Sequence, residues 1–150
     1  MPGARDLDFW LGKWDISWGD GLTATNTIEA VLDGAVIRET FDGRPGADFQ
    51  GNSWSVYSPQ LGYWRQTWVD SQGSYWAFSG GLEGERFILA TDEVREGKPI
   101  KLRMVFYNIA ADSLDWDWER SDDGGATWAL QWRLHYARKT SPLRAAPGDA

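Results

Sequence analysis

Cysteine is absent from this 150-residue chain, which removes disulfides, thiolate metal sites and thiol nucleophiles together. There is one histidine, His135. A His-built metal centre or a Ser-His-Asp triad is therefore not expected, and only a one-histidine site stays open. Positive charge is scarce: 15 Lys and Arg stand against 22 Asp and Glu, for a net charge of −7. No basic run marks a face for phosphate backbones, so nucleic acid is not an expected partner. No apolar run approaches the roughly 18 residues of a spanning helix, so no membrane partner is expected either. The first residues, Met1 to Asp6, lack the apolar stretch of a secretory leader. The expectation is a soluble, cytoplasmic protein. A chain of this length buries about 70% of its unfolded surface, enough for a core without staples.

Aromatic residues are abundant instead: 11 Trp, 5 Tyr and 6 Phe. They suit the half-buried, pleated surface of a sheet, and 17 glycines supply turns. A packed β core accounts for part of this excess. So many indoles also need partners for their N–H groups, or a place on a cavity wall.

Strand-like runs alternate with turn signals at the spacing of an all-β sandwich or barrel. One helical turn is expected over 6–11. Strands are expected over 12–18, 22–32, 35–41, 50–57, 63–69, 74–79, 85–92, 100–108, 114–120 and 126–138. Short loops between about ten strands mean antiparallel neighbours in a meander. Closure removes the two edges that an open sheet would expose. The fold expected is thus an all-β, up-and-down antiparallel barrel with an internal cavity, the sandwich being the alternative. No repeat or linker interrupts it. Residues 1–138 form one domain in this reading, and 139–150, rich in Pro and Ala, form a flexible tail.

Alternation sorts the faces. Trp64, Gln66 and Trp68 share an inner face, as do Ile100, Leu102, Met104 and Phe106. Leu114, Trp116 and Trp118 oppose Asp115, Asp117 and Glu119. In the last strand Trp128, Leu130, Trp132, Leu134 and Tyr136 oppose Gln131, Arg133 and His135. The same parity carries Asn26 and Glu39 inward.

Gly12-Lys13-Trp14 lies where the first strand begins. A Trp there can plug one end of a barrel, and the glycine allows close approach beneath it. With the stretches Asp8-Phe9-Trp10-Leu11-Gly12-Lys13-Trp14-Asp15, Trp64-Arg65-Gln66-Thr67-Trp68-Val69-Asp70-Ser71-Gln72-Gly73 and Trp118-Glu119-Arg120-Ser121-Asp122-Asp123-Gly124-Gly125-Ala126-Thr127-Trp128, the chain resembles the calycin superfamily of lipocalins, fatty-acid-binding proteins and nitrobindins. More narrowly, it is similar over about residues 6–138 to a bacterial lipocalin-like family with no assigned activity. The resemblance implies a barrel with an internal cavity and little about chemistry. It also implies an arginine over the plugging Trp14, a cation–π brace for which Arg138 is the candidate. Ser121-x-Asp123-Gly124-Gly125-x-Thr127-Trp128 matches the Asp-box of β-propellers; occurring once, it is a hairpin device, with Asp123 bonding the turn backbone and Trp128 packing under the loop.

Asn26, Glu39 and Gln66 are the polar residues expected in the chamber. The bland reading is that they satisfy one another or ordered waters. A carboxyl among indoles has its pKa raised by desolvation, which makes Glu39 a candidate general acid or base. Asp115, Asp117, Glu119, Asp122 and Asp123 read as a solvated face, because metal ligands must converge and these diverge. Nitrobindins hold haem iron through a histidine near the C-terminus. Here parity puts His135 outside, and the longer nitrobindin glycine motif is missing, with Ile16 and Trp18 in its place. No cofactor or metal is expected.

The function expected is binding of a small hydrophobic or aromatic molecule. Trp14, Trp64, Trp68, Trp76, Trp116, Trp118, Trp132 and Tyr136 would supply the wall, and Asn26, Glu39, Gln66 and Tyr57 would orient the guest. A cationic ring would gain from the indole faces. The alternative is a cofactor-free isomerase, cyclase or lyase using Glu39 or a tyrosine. Apolar residues to spare leave room for a homodimer surface.

Overall fold

The computed structural model describes residues 2–139. A 3-10 turn at Asp8–Trp10 leads into ten strands: β1 (Gly12–Trp18), β2 (Leu22–Val31), β3 (Val36–Asp42), β4 (Gln50–Ser58), β5 (Tyr63–Asp70), β6 (Tyr75–Glu83), β7 (Arg86–Arg95), β8 (Lys98–Tyr107), β9 (Ser113–Ser121) and β10 (Ala129–Arg138). Each pairs antiparallel with its sequence neighbour, and β1 pairs with β10 to close the barrel. Of the tail expected over 139–150, all but Lys139 lies outside the described residues. Lys139 itself donates its backbone N–H to the Lys13 carbonyl at 2.8 Å.

Alternating burial follows from the period of the strand. On β8, Ile100, Leu102, Met104 and Phe106 are buried, and on β5 so are Trp64 and Gln66. The strands run up and down, so the loops gather at two ends. At one end the chain before β1 folds under the barrel, and Leu7, Trp10 and Trp14 are buried there. The other end carries the 43–49, 71–74 and 122–128 connections.

Two stretches depart from expectation. A turn is expected at 80–84, yet β6 runs on through Gly80 and Gly81 to Glu83. At Gly80, φ is +154° and a Cβ would fall on the Ile88 carbonyl oxygen, so the glycine serves close strand approach rather than reversal. In β10 the register with β9 shifts between Leu130 and Trp132. Such a bulge resets the alternation. Trp132, Leu134 and Tyr136 keep the inner face, whereas Leu130 is 47% exposed and Trp128 sits before the strand begins, against Arg103 on the outside.

Candidate functional site

The closed end is a stack of braced aromatic groups. Trp14 donates its indole N–H to the Trp10 carbonyl at 2.8 Å. The Arg138 guanidinium lies 4.1 Å from the Trp14 ring centre and donates to the carbonyls of Leu11 (2.7 Å) and Ala111 (3.0 Å). Gly12, at φ +126°, leaves the space that this guanidinium occupies, because a Cβ would meet Arg138 Nη1. Trp64 belongs to this end too. Its indole N–H donates to the Gly3 carbonyl at 3.0 Å, and its ring packs on Tyr57 and Phe87. Trp64 was expected on the inner face and Tyr57 among the residues orienting a guest; at this depth along the barrel neither belongs to the cavity lining.

Above this plug lies a buried polar cluster. Strand register assembles it. β3 and β4 place Glu39 directly opposite Ser53. β2 and β3 pair Asn26 with Phe41 and Ile28 with Glu39, so Asn26 and Glu39 are diagonal neighbours on the inner face. Asn26 Nδ2 donates to Glu39 Oε2 at 2.7 Å and to the Tyr136 hydroxyl at 3.0 Å, and Ser53 Oγ donates to Glu39 Oε1 at 2.7 Å. Burial outweighs these two donors and pushes the Glu39 carboxyl up to about 7. Burial, and next the Glu39 charge, also raise the Tyr136 hydroxyl. Asn26 Oδ1 and Trp10 Nε1 are buried with no hydrogen-bond partner among the described residues. Gln66 stands apart from this group: its amide donates to Ser55 Oγ at 2.9 Å, and its carbonyl oxygen has no partner. Neither Gln66 nor Asn26 reaches the cavity surface.

From this cluster a cavity of about 270 Å³ extends toward the other end of the barrel. Its floor is Trp10, Glu39, Tyr136, Leu134 and Met104, and its walls are Phe41, Phe78, Trp68, Trp76, Trp116, Trp118 and Trp132. Phe49, Asp70 and Ser74 stand at the mouth. The indoles hold one another. Trp116 and Trp118 lie parallel within 4°, Trp118 meets Trp76 edge-on at 5.9 Å, and Trp132 meets Trp116 edge-on at 6.1 Å, arrangements that suit the ring quadrupoles. Trp68 donates its N–H to Asp70 Oδ2 at 2.9 Å. Burial alone would raise Asp70, but that donor and the backbone N–H groups of Ser74 and Gln72 hold it below the ordinary carboxylate range.

The cavity therefore gathers Glu39, Trp68, Trp76, Trp116, Trp118, Trp132 and Tyr136 from the expected set. Trp10 and Asp70 join them, with Phe41, Phe49, Ser74, Phe78, Met104 and Leu134; Ser53 belongs to the polar cluster beneath and not to the lining. Ser53 was not singled out from the sequence; Trp10 lies inside the Asp8–Asp15 aromatic stretch. Asp70 lies in the Trp64–Gly73 stretch, just past the strand expected over 63–69, where it reads as a turn residue.

The outer wall corrects one expectation. Asp115, Asp117 and Glu119 do face outward, yet Asp117 is only 5% exposed. Arg133 donates to both its oxygens at 2.9 Å and Tyr107 donates to one at 3.0 Å. Arg103 donates to Glu119 at 2.7 Å and lies 4.0 Å from the Trp128 ring centre. That pair fixes Trp128 beside a hairpin in which Asp123 accepts from Ser121, from Thr127 Oγ1 and from the Thr127 backbone. His135 is on the same outer side, half exposed and 2.7 Å from Asp115, so iron held by it would lie outside the barrel.

Among the described residues no group of three or more His, Asp or Glu side chains gathers as a metal site, and no helix is long and apolar enough to cross a membrane. No family model matches the chain, and no curated protein matches it in sequence.

Proposed function

We propose that this protein binds a small hydrophobic or aromatic molecule inside the barrel, as a single lipocalin-like binding domain. The observation that carries the reading is the hollow of about 270 Å³ walled by five indoles and floored by a carboxyl group. Close packing is the rule for protein interiors, so an open apolar chamber of this size is a departure that a guest would remedy. A cavity of roughly 150 Å³ holds benzene; this one suits a body of one or two rings. Rigid aromatic walls lose little side-chain entropy when they receive it. The turn before β1, the plug Trp14 and the arginine above it support the lipocalin-like affinity.

The test is intrinsic tryptophan emission, titrated against a panel of one- and two-ring compounds. Saturable quenching or a spectral shift is expected, since six indoles, Trp10 on the floor among them, line the cavity. A flat response across the panel overturns the reading.

A second reading rests on Glu39, whose carboxyl titrates near pH 7 in contact with the cavity: a group so poised suits general acid–base catalysis. Under it, Glu39→Gln would abolish turnover of a bound substrate while leaving its binding intact.

A further inference from the structure

We infer that the cavity selects an organic ammonium ion with an apolar or aromatic body, seating the positive end on Glu39 and the rings among the indoles. This deepens the binding function proposed above and rests on it. The charged side chains that line the chamber are all acidic. Glu39 lies on the floor and Asp70 at the mouth, and no Lys or Arg belongs to the lining. Glu39 is faced by Asn26 from β2, by Ser53 from β4 and by Tyr136 from β10. Among these only Tyr136 titrates, and none is basic. Asn26 and Ser53 each supply one donor, one to each oxygen, so each oxygen keeps room to accept another.

A buried carboxylate without a cationic partner is costly, and two neutral donors do not outweigh the burial of Glu39. An ammonium group reaching the floor would supply the missing charge and donate two or three hydrogen bonds. The walls add to this. Indole faces carry negative potential and attract cations within about 6 Å. The Arg95 guanidinium, which is not part of the lining, lies 5.9 Å from the Trp76 ring centre. A carboxylic acid guest, the usual cargo of an apolar cavity armed with arginine, would meet two carboxylates and no arginine on the lining.

The experiment uses three shape-matched probes with the intact chain: 2-(2-naphthyl)ethylamine, 2-(2-naphthyl)ethanol and 2-naphthylacetate. Isothermal titration calorimetry near pH 8 is expected to rank the amine about tenfold or more above the alcohol, with the acetate weakest. Amine affinity should rise between about pH 5.5 and pH 8 as Glu39 gives up its proton, while alcohol affinity stays level. Titrations in buffers of different ionisation enthalpy should show a fraction of a proton released per amine bound near pH 7. Glu39→Gln should bring amine and alcohol together. Amine and alcohol binding equally to the unaltered protein, or an amine affinity that ignores pH, overturns the ammonium assignment and leaves the cavity as a neutral site. Failure of all three probes to bind defeats the binding function itself.

Discussion

Glu39 and Tyr136 share one donor: the Asn26 amide nitrogen lies 2.7 Å from the carboxylate and 3.0 Å from the phenol oxygen. A single NH2 group has two protons, and both are committed. The amide thus ties β3 to β10 across the inside of the barrel and holds the carboxyl at the cavity floor.

The first prediction concerns pH. The folded protein holds the Glu39 proton more tightly than the unfolded chain, with a value of about 7 against 4.5. Stability from the neutral carboxyl is fully present below pH 4.5 and is lost as pH rises through about 7. At about 1.4 kcal/mol for each pH unit, the ionised form is disfavoured by on the order of 3 kcal/mol. Glu39→Gln keeps the shape and never ionises. In urea unfolding, the variant should gain on the parent across that window and exceed it near pH 8; parallel pH curves would refute the assignment.

Next comes the plug. Gly12→Ala places a methyl group where Arg138 Nη1 lies, at a φ of +126° that suits glycine. A cost of about 2–3 kcal/mol is expected from the strained backbone and the displaced guanidinium together. Arg138→Ala should cost about 1–2 kcal/mol. The two losses should add to less than their sum in the double variant, because both break the same contact. Full additivity in chemical denaturation would count against the brace.

Filling the chamber separates cavity from fold. Leu134 is buried and lines the cavity, and Leu134→Trp would occupy part of it. Overpacking costs about 1–3 kcal/mol, so the barrel should persist by circular dichroism while probe-induced quenching disappears. Retained binding at parental affinity would place the guest elsewhere.

The hairpin after β9 makes the opposite prediction. The donors from Thr127 and Ser121 hold Asp123 down at about 2. Its contribution is therefore present above the ordinary value of 3.8 and lost as pH falls through about 2. Asp123→Ala should lower the thermal midpoint at neutral pH and leave probe affinity unchanged. A changed affinity would make this loop part of the mouth.

The strand count, the meander and the inner faces of β5, β8 and β9 were legible because alternation alone decides them. What alternation leaves open is height. Trp64 and Trp68 share a face, yet one is sealed under Gly3 and the other borders the cavity, since strand tilt and the segment folded beneath the barrel set depth. Nor does it register a bulge: one extra residue near Leu130 moved Trp128 out of the wall pattern. Asp117 was misjudged for a different reason. Its burial is made by Tyr107 and Arg133 on the two flanking strands, and cross-strand neighbours follow from register. The cluster of Asn26, Glu39, Ser53 and Tyr136 was half visible, with Asn26, Glu39 and Tyr136 facing inward but Ser53 and the pairing hidden.

Nine of the ten strand contacts join consecutive segments; the tenth, between β1 and β10, joins residues more than a hundred positions apart. Closing so distant a zipper costs more chain entropy than closing any of the hairpins beside it. Until it shuts, Tyr136 hangs on one margin of an unrolled ribbon, away from Asn26. The chamber exists only while that seam is shut, so a guest that bridges the margins would slow its reopening.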